Sequence, residues 1–293
     1  MKRIGVLIII ATLIILIFAL VFKEHFNTEN QTVAIIKGAG LNRLNSPMAA
    51  ASDGKNVYIA NAAKNQVSVF NLKGEFQFPI GKSGSLDGEL QFPVDIEMYK
   101  DKIYVADLGN NRIQVFTKNG QFLDLFPRER NIKPAALSIH DEKLYVSDIY
   151  SQTIKVYSLT GKLLKEFSEG GIRNGQLNYA NGIAVSEDGK KLFISDSQNQ
   201  RVQIFTNKGK FQSVLPLKEK LGLPKGISVG NKQIYLADSL SGKISIFQFN
   251  GKHIKDLQVK SGLNSPSDVS ITKNYIFITD SGNNRVIILK KKG

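Results

Sequence analysis

Cysteine is absent from the chain. That excludes disulfides, thiolate metal centres, covalently attached haem and lipidation at an N-terminal cysteine. Histidine is scarce. His25, His140 and His253 are the whole set and fall at unlike positions, so a histidine metal cluster is not expected. P-loop and H-E-x-x-H patterns are missing, which removes the phosphate-cradling and zinc-protease readings. Acids are few beside the bases: 25 Asp and Glu against 39 Lys and Arg, a net charge of +14. The excess is lysine, as in Lys218, Lys220, Lys225, Lys232, Lys243 and Lys290–Lys292. Lysine without Arg clusters reads as diffuse attraction to an anionic surface or an acidic partner, not as shaped phosphate recognition.

Long apolar runs are absent too, except one. Ile4 to Phe22 contains no charge. At 1.5 Å per residue it reaches about 28 Å, close to the hydrocarbon thickness of a bilayer. It is longer than the apolar core of a cleaved signal peptide, and Ala19-Leu20-Val21 is a poor cleavage site. The expectation is an uncleaved signal anchor, a single transmembrane helix. Lys2 and Arg3 would stay in the cytoplasm by the positive-inside rule, with the rest of the chain outside a bacterial cell. The polar stretch Glu24–Asn30 would form a short tether. The division is thus residues 1–26 for the tip, anchor and start of the stalk, and residues 27–293 for the folded domain.

That domain repeats one phrase six times. In the second copy Pro93 leads to Asp107, Arg112, Phe116 and Gly120. The acid recurs as Asp107, Asp148, Asp196, Asp238 and Asp280, with Asn61 in the first copy. The glycines keep step at Gly74, Gly120, Gly161, Gly209, Gly251 and Gly293. A period of roughly 40–50 residues means one supersecondary unit used repeatedly. Val94–Met98, Ile103–Ala106, Arg112–Phe116 and Gln121–Phe126 read as four strands, separated by turns such as Leu108–Asn111 and Lys118-Asn119-Gly120. The second strand is apolar on both faces, so both faces of the sheet must be covered. Six sheets packed radially achieve this, which makes an all-β, six-bladed β-propeller with four-stranded blades. The sixth copy has strands at Asp268–Thr272, Tyr275–Thr279 and Arg285–Leu289 and no fourth. The spare strand Thr32–Ile36 is expected to complete that blade and close the ring.

The stretches LQFPVDIEMYKDKIYVADLGNNRIQVF (Leu90–Phe116) and LNYANGIAVSEDGKKLFISDSQNQRVQIF (Leu177–Phe205) resemble NHL repeats, as do the lead-ins Gly81–Pro93 and Gly170–Ala180. The resemblance covers roughly residues 31–293 and implies the propeller fold. The NHL family hosts protein binding, RNA binding, sensing and some enzymes, so it does not fix a function. The recurrent Asp reads as structural: it is expected to accept hydrogen bonds from turn amides, with the cation five residues on pairing with an acid. Copies one and three carry Gln66 and Thr153 in place of that cation.

Propellers place function at the central channel. The residues following the blade-opening position are expected at its mouth: Met48, Val94, Ala135, Asn181, Lys225 and Ser267, and, one further, Asp95 and Asp268. Asn181–Ser197 also resembles the matching stretch of gluconolactonase-like propellers, in which Asn181 would fall on a metal-binding Asn. Lys225 stands where their next ligand is an Asp, and a lysine there repels a metal. The expected function is therefore non-catalytic: a binding or scaffold module for a protein or an anionic cell-surface ligand, monomeric, with no metal, no cofactor and no nucleic acid. The rival is a metal-assisted hydrolase or lyase acting at the channel.

Overall fold

The computed structural model describes residues 30–127 and 132–291. The apolar run of residues 4–22, His25 and Lys292 lie outside them. Among the described residues no helix is long and apolar enough to cross a membrane.

Six four-stranded antiparallel sheets make the structure. In blade 2 the strands are Pro93–Tyr99, Lys102–Asp107, Arg112–Thr117 and Phe122–Phe126. Each blade's first strand touches the first strands of its two neighbours, blade 6 against blade 1 included, so the ring closes around a channel. Thr32–Ile36 forms the outermost strand of blade 6, with Thr32 opposite Leu289 and Ile36 opposite Val286. The expected closure is therefore observed. The first strand of blade 6 starts earlier than expected, at Pro266 rather than Asp268. Its register shifts between those two residues, a bulge that a reading of strict alternation does not register.

Six apolar clusters fill the six gaps between blades. One joins Ala51, Tyr58, Val67 and Val69 of blade 1 to Ile96, Ile103, Val105 and Phe116 of blade 2. The residue at the recurrent aromatic position (Phe70, Phe116, Tyr157, Phe205, Phe247 and Leu289) is buried in every blade, each against the blade before it. Second strands are buried throughout, whereas fourth strands are largely exposed. Burying both faces of the middle strands is what the apolar runs of the sequence require.

The recurrent Asp ties each blade's lead-in to its second strand. Asp107 accepts from the Gln91 amide at 2.7 Å, from Arg112 Nε at 2.9 Å and from Gln114 Nε2 at 3.0 Å. Asp196 repeats this with the Asn178 amide, Arg201 and Gln203, and Asp280 with the Asn264 amide and Arg285. Blade 3 differs: Thr153 replaces the Arg, and Lys155 reaches Asp148 at 2.5 Å from two residues further along. Burial pushes the Asp148 carboxyl up, but Lys155, Ser151 and the amides of Lys133 and Tyr150 outweigh it and hold it below the usual carboxylate range. In all six blades the residue four beyond the recurrent acid position has a left-handed backbone: Asn65, Asn111, Gln152, Gln200, Gly242 and Asn284. Asn65 then accepts from the Phe92 amide of blade 2, and Asn284 from the Ser46 amide of blade 1, at 2.9 and 2.7 Å.

The two tight turns of each blade meet at one end of the ring. Leu159 donates to Glu142 O, Asn207 to Lys190 O and Lys291 to Asn274 O. This end is called the turn face. The lead-ins and the loops between second and third strands occupy the opposite end, the mouth face, where Gly109 donates to Gln91 O and Asn110 to Gly84 O.

Candidate functional site

A cavity of about 410 Å³ occupies the channel. All eight residues singled out from the sequence (Met48, Val94, Asp95, Ala135, Asn181, Lys225, Ser267 and Asp268) line it, together with Phe92, Leu108 and Ile149 from the mouth-face loops. The chain puts them there because every first strand starts at the mouth and runs down the channel wall.

Three of the eight have their polar atoms engaged within the protein. Asp95 Oδ2 accepts from the Leu137 amide of blade 3 at 2.6 Å, and Asp268 Oδ2 from the Ala50 amide of blade 1 at 3.3 Å. Ser267 Oγ donates to Met48 O at 2.6 Å. These side chains staple neighbouring first strands. The glycines at the matching positions serve the same packing: a Cβ on Gly226 would lie 2.2 Å from Asp268 Oδ1, and one on Gly182 would lie 2.2 Å from Lys225 O.

Sequence reasoning missed Glu97. It follows Asp95 by one strand period, so it faces the same channel, and its Oε1 accepts from the Ile139 amide at 3.1 Å. Burial, reinforced by Asp95 and Asp268, pushes its carboxyl up to about 8. Burial raises Asp95 and Asp268 as well, the charge of Asp95 adding to the rise at Asp268. Gly226-Ile227-Ser228-Val229-Gly230 has the G-x-S-x-G pattern, yet it lies within the strand Pro224–Gly230 and lacks the strand-to-helix elbow that exposes a nucleophile.

Of the eight, Asn181 and Lys225 keep a polar group facing the cavity. Asn181 Nδ2 donates to Ser197 Oγ at 3.0 Å, which leaves its carbonyl oxygen open. Lys225 has no carboxylate or hydrogen-bond acceptor within reach among the described residues, and burial lowers its pKa. An unpaired, partly desolvated ammonium at a mouth lined by Met48, Val94 and Phe92 can hold an anionic group of a ligand. Neither described histidine lines the cavity. His140 ends the first strand of blade 3 at the turn face, beside Asp141, and His253 starts the outermost strand of blade 5, beside Asp256. Among the described residues no three His, Asp or Glu side chains are placed to share a metal ion.

Residues 177–205, from the end of the lead-in through the third strand of blade 4, match the NHL repeat. This stretch of blade 4 is similar to an NHL repeat. The mouth-face residues Tyr179 and Asn181 lie within the matched stretch. No curated protein matches the chain in sequence. Among solved structures it is similar in fold to a catalytically inactive histidine-to-alanine variant of virginiamycin B lyase from Staphylococcus aureus with quinupristin: TM-score 0.64, 17% identity, 87% of each chain covered. A streptogramin B lyase gives a TM-score of 0.61 at 17% identity, covering 85% of this chain and 84% of that one. Hydrazine synthase of Kuenenia stuttgartiensis gives 0.62 at 12% identity, covering 87% of this chain and 99% of the other. Such identities establish a shared propeller fold and nothing about shared chemistry.

Proposed function

We propose that the protein is a membrane-tethered, outward-facing binding module that engages a protein or an anionic surface ligand at its mouth face, with Lys225 holding an acidic group of that partner. The observation that carries this reading is the distribution of exposed apolar side chains. Leu41, Leu86, Tyr150, Ile172 and Leu240 are each at least 70% exposed, and all five lie in lead-ins or loops of the mouth face. The half-exposed Phe92 and Tyr179 join them there. The other exposed large apolar residues, such as Val33, Leu123 and Leu164, sit on outermost strands at the perimeter. Apolar groups gathered around a rigid rim mark a contact surface, and loops on a rigid scaffold are where binding residues reside.

Catalysis at the channel has less support. Its carboxylates are bonded to backbone amides of the next blade, and among the described residues no histidine faces it. The structurally similar lyase is described as inactive once a histidine is replaced. Calorimetric titration of calcium into the protein, with Asn181→Ala alongside, separates the two readings. No heat of binding is expected from either protein. Tight binding abolished in Asn181→Ala would instead assign the channel to a metal-assisted hydrolase or lyase.

A further inference from the structure

The charge of the ring is concentrated on one face. The described turn-face segments carry sixteen lysines against seven acids, whereas the mouth face and channel carry fifteen cations against twelve acids. Each blade places an exposed lysine in or directly after the turn between its first two strands: Lys55, Lys100, Lys143, Lys190, Lys232 and Lys273. The third-to-fourth-strand turns add a second ring, Lys252 among them. Several of the acids there shape the turns. Asp53 accepts from the amides of Lys55 and Asn56, Asp188 from Ser186 and the Lys190 amide, and Glu187 from the Asn231 amide of the next blade. Lys100 and Lys118 have ion-pair partners in Glu142 and Asp101; Lys55, Lys143, Lys232, Lys252 and Lys273 have no acid within 4.0 Å among the described residues. Among the described residues the turns of this face expose no large apolar side chain, the nearest being Leu163 at the start of an outermost strand.

The chain also enters the ring at this face. Lys290 donates to Gln31 O at 2.8 Å, and Lys291 to Asn274 O of a turn-face loop at 2.7 Å, so Gln31 lies at the turn-face rim. Phe22, the last residue of the apolar run, precedes Gln31 by residues 23–30 alone, which reach at most about 28 Å when fully extended. We propose that the turn face docks on the anionic headgroups of the bilayer that holds residues 4–22, leaving the mouth face pointing away from the membrane. The proposal rests on the membrane-tethered reading given above. A lysine ring is a diffuse, strongly hydrated cationic surface suited to a layer of lipid phosphates, and its attraction acts within a Debye length of about 10 Å. The short tether holds the face close to that range, and the lysines turn it flat against the surface.

The full chain, which has no native cysteine, allows single labelling sites to be introduced. Lys252→Cys reports the turn face and Leu86→Cys the mouth face, with energy transfer measured to a headgroup acceptor in reconstituted bilayers. In phosphatidylglycerol-containing bilayers, transfer from position 252 should exceed that from position 86 about two-fold or more. The difference should shrink in phosphatidylcholine bilayers, at high salt, and when Lys55→Glu, Lys143→Glu, Lys190→Glu and Lys232→Glu are combined. Equal transfer from the two sites, or a difference indifferent to lipid charge, salt and those substitutions, overturns the docking. Flotation with phosphatidylcholine vesicles at high salt reads the tether separately. Retention with equal transfer means an anchor without docking. Release from these vesicles, but capture by phosphatidylglycerol at low salt with position 252 nearer, means docking without an anchor.

Discussion

Glu97 is the residue whose environment contrasts most with its chemistry. Its carboxyl is buried in the channel wall facing Asp95 and Asp268, and its pKa rises from 4.5 to about 8. Native Glu97 therefore holds a proton that the unfolded chain releases between those values. Stability then falls as pH rises through this window, because the native state binds more protons than the unfolded one. Asp95 and Asp268, raised in the same sense, steepen the fall. Glu97→Gln should flatten it: urea denaturation at pH 8 should find the variant more stable than the parent by about 1–3 kcal/mol, with a smaller difference at pH 5. A variant no more stable than the parent at pH 8 would show that Glu97 is ionised in the native channel without penalty. The structural role of the recurrent Asp was legible from its repetition. Lys155 standing in for a missing Arg was not, because the replacement comes from a different position of the strand. Glu97 was legible from the two-residue period of Pro93–Tyr99, but only by following the first strand beyond its opening two residues.

Among the elements, Thr32–Ile36 has the largest consequence for its size. It supplies the fourth strand of blade 6, and Ile36 is fully buried with Phe70, Phe277, Val286 and Ile288 between blades 6 and 1. Ile36→Ala should destabilise the ring by about 2–4 kcal/mol, read as a lowered urea midpoint. An unchanged midpoint would mean that this strand does not close the ring in solution. The closing strand could be inferred from sequence by counting, since five copies had four strands and the last had three. The start of blade 6 at Pro266 could not, because a bulge breaks the alternation on which such a reading depends.

For the whole molecule, the two faces carry different chemistry: lysines in the turns, exposed apolar side chains around the mouth. Sequence alone revealed the lysine excess but not its side, since that depends on which turns the blade topology gathers at one end. It likewise marked Lys225 as a mouth residue, though not that its ammonium would stand unpaired. In the proposed arrangement the mouth face engages the partner while the turn face lies against the membrane. The most direct test is site-specific photo-cross-linking in cells, with the photoreactive residue at Leu86, Tyr150 or Leu240 on one face and at Lys100 or Lys252 on the other. One discrete protein or polymer adduct is expected, shared by the three mouth-face positions and lost with Lys225→Glu, with lipid adducts alone from the turn face. A discrete partner adduct from the turn face, with none from the mouth, would contradict it.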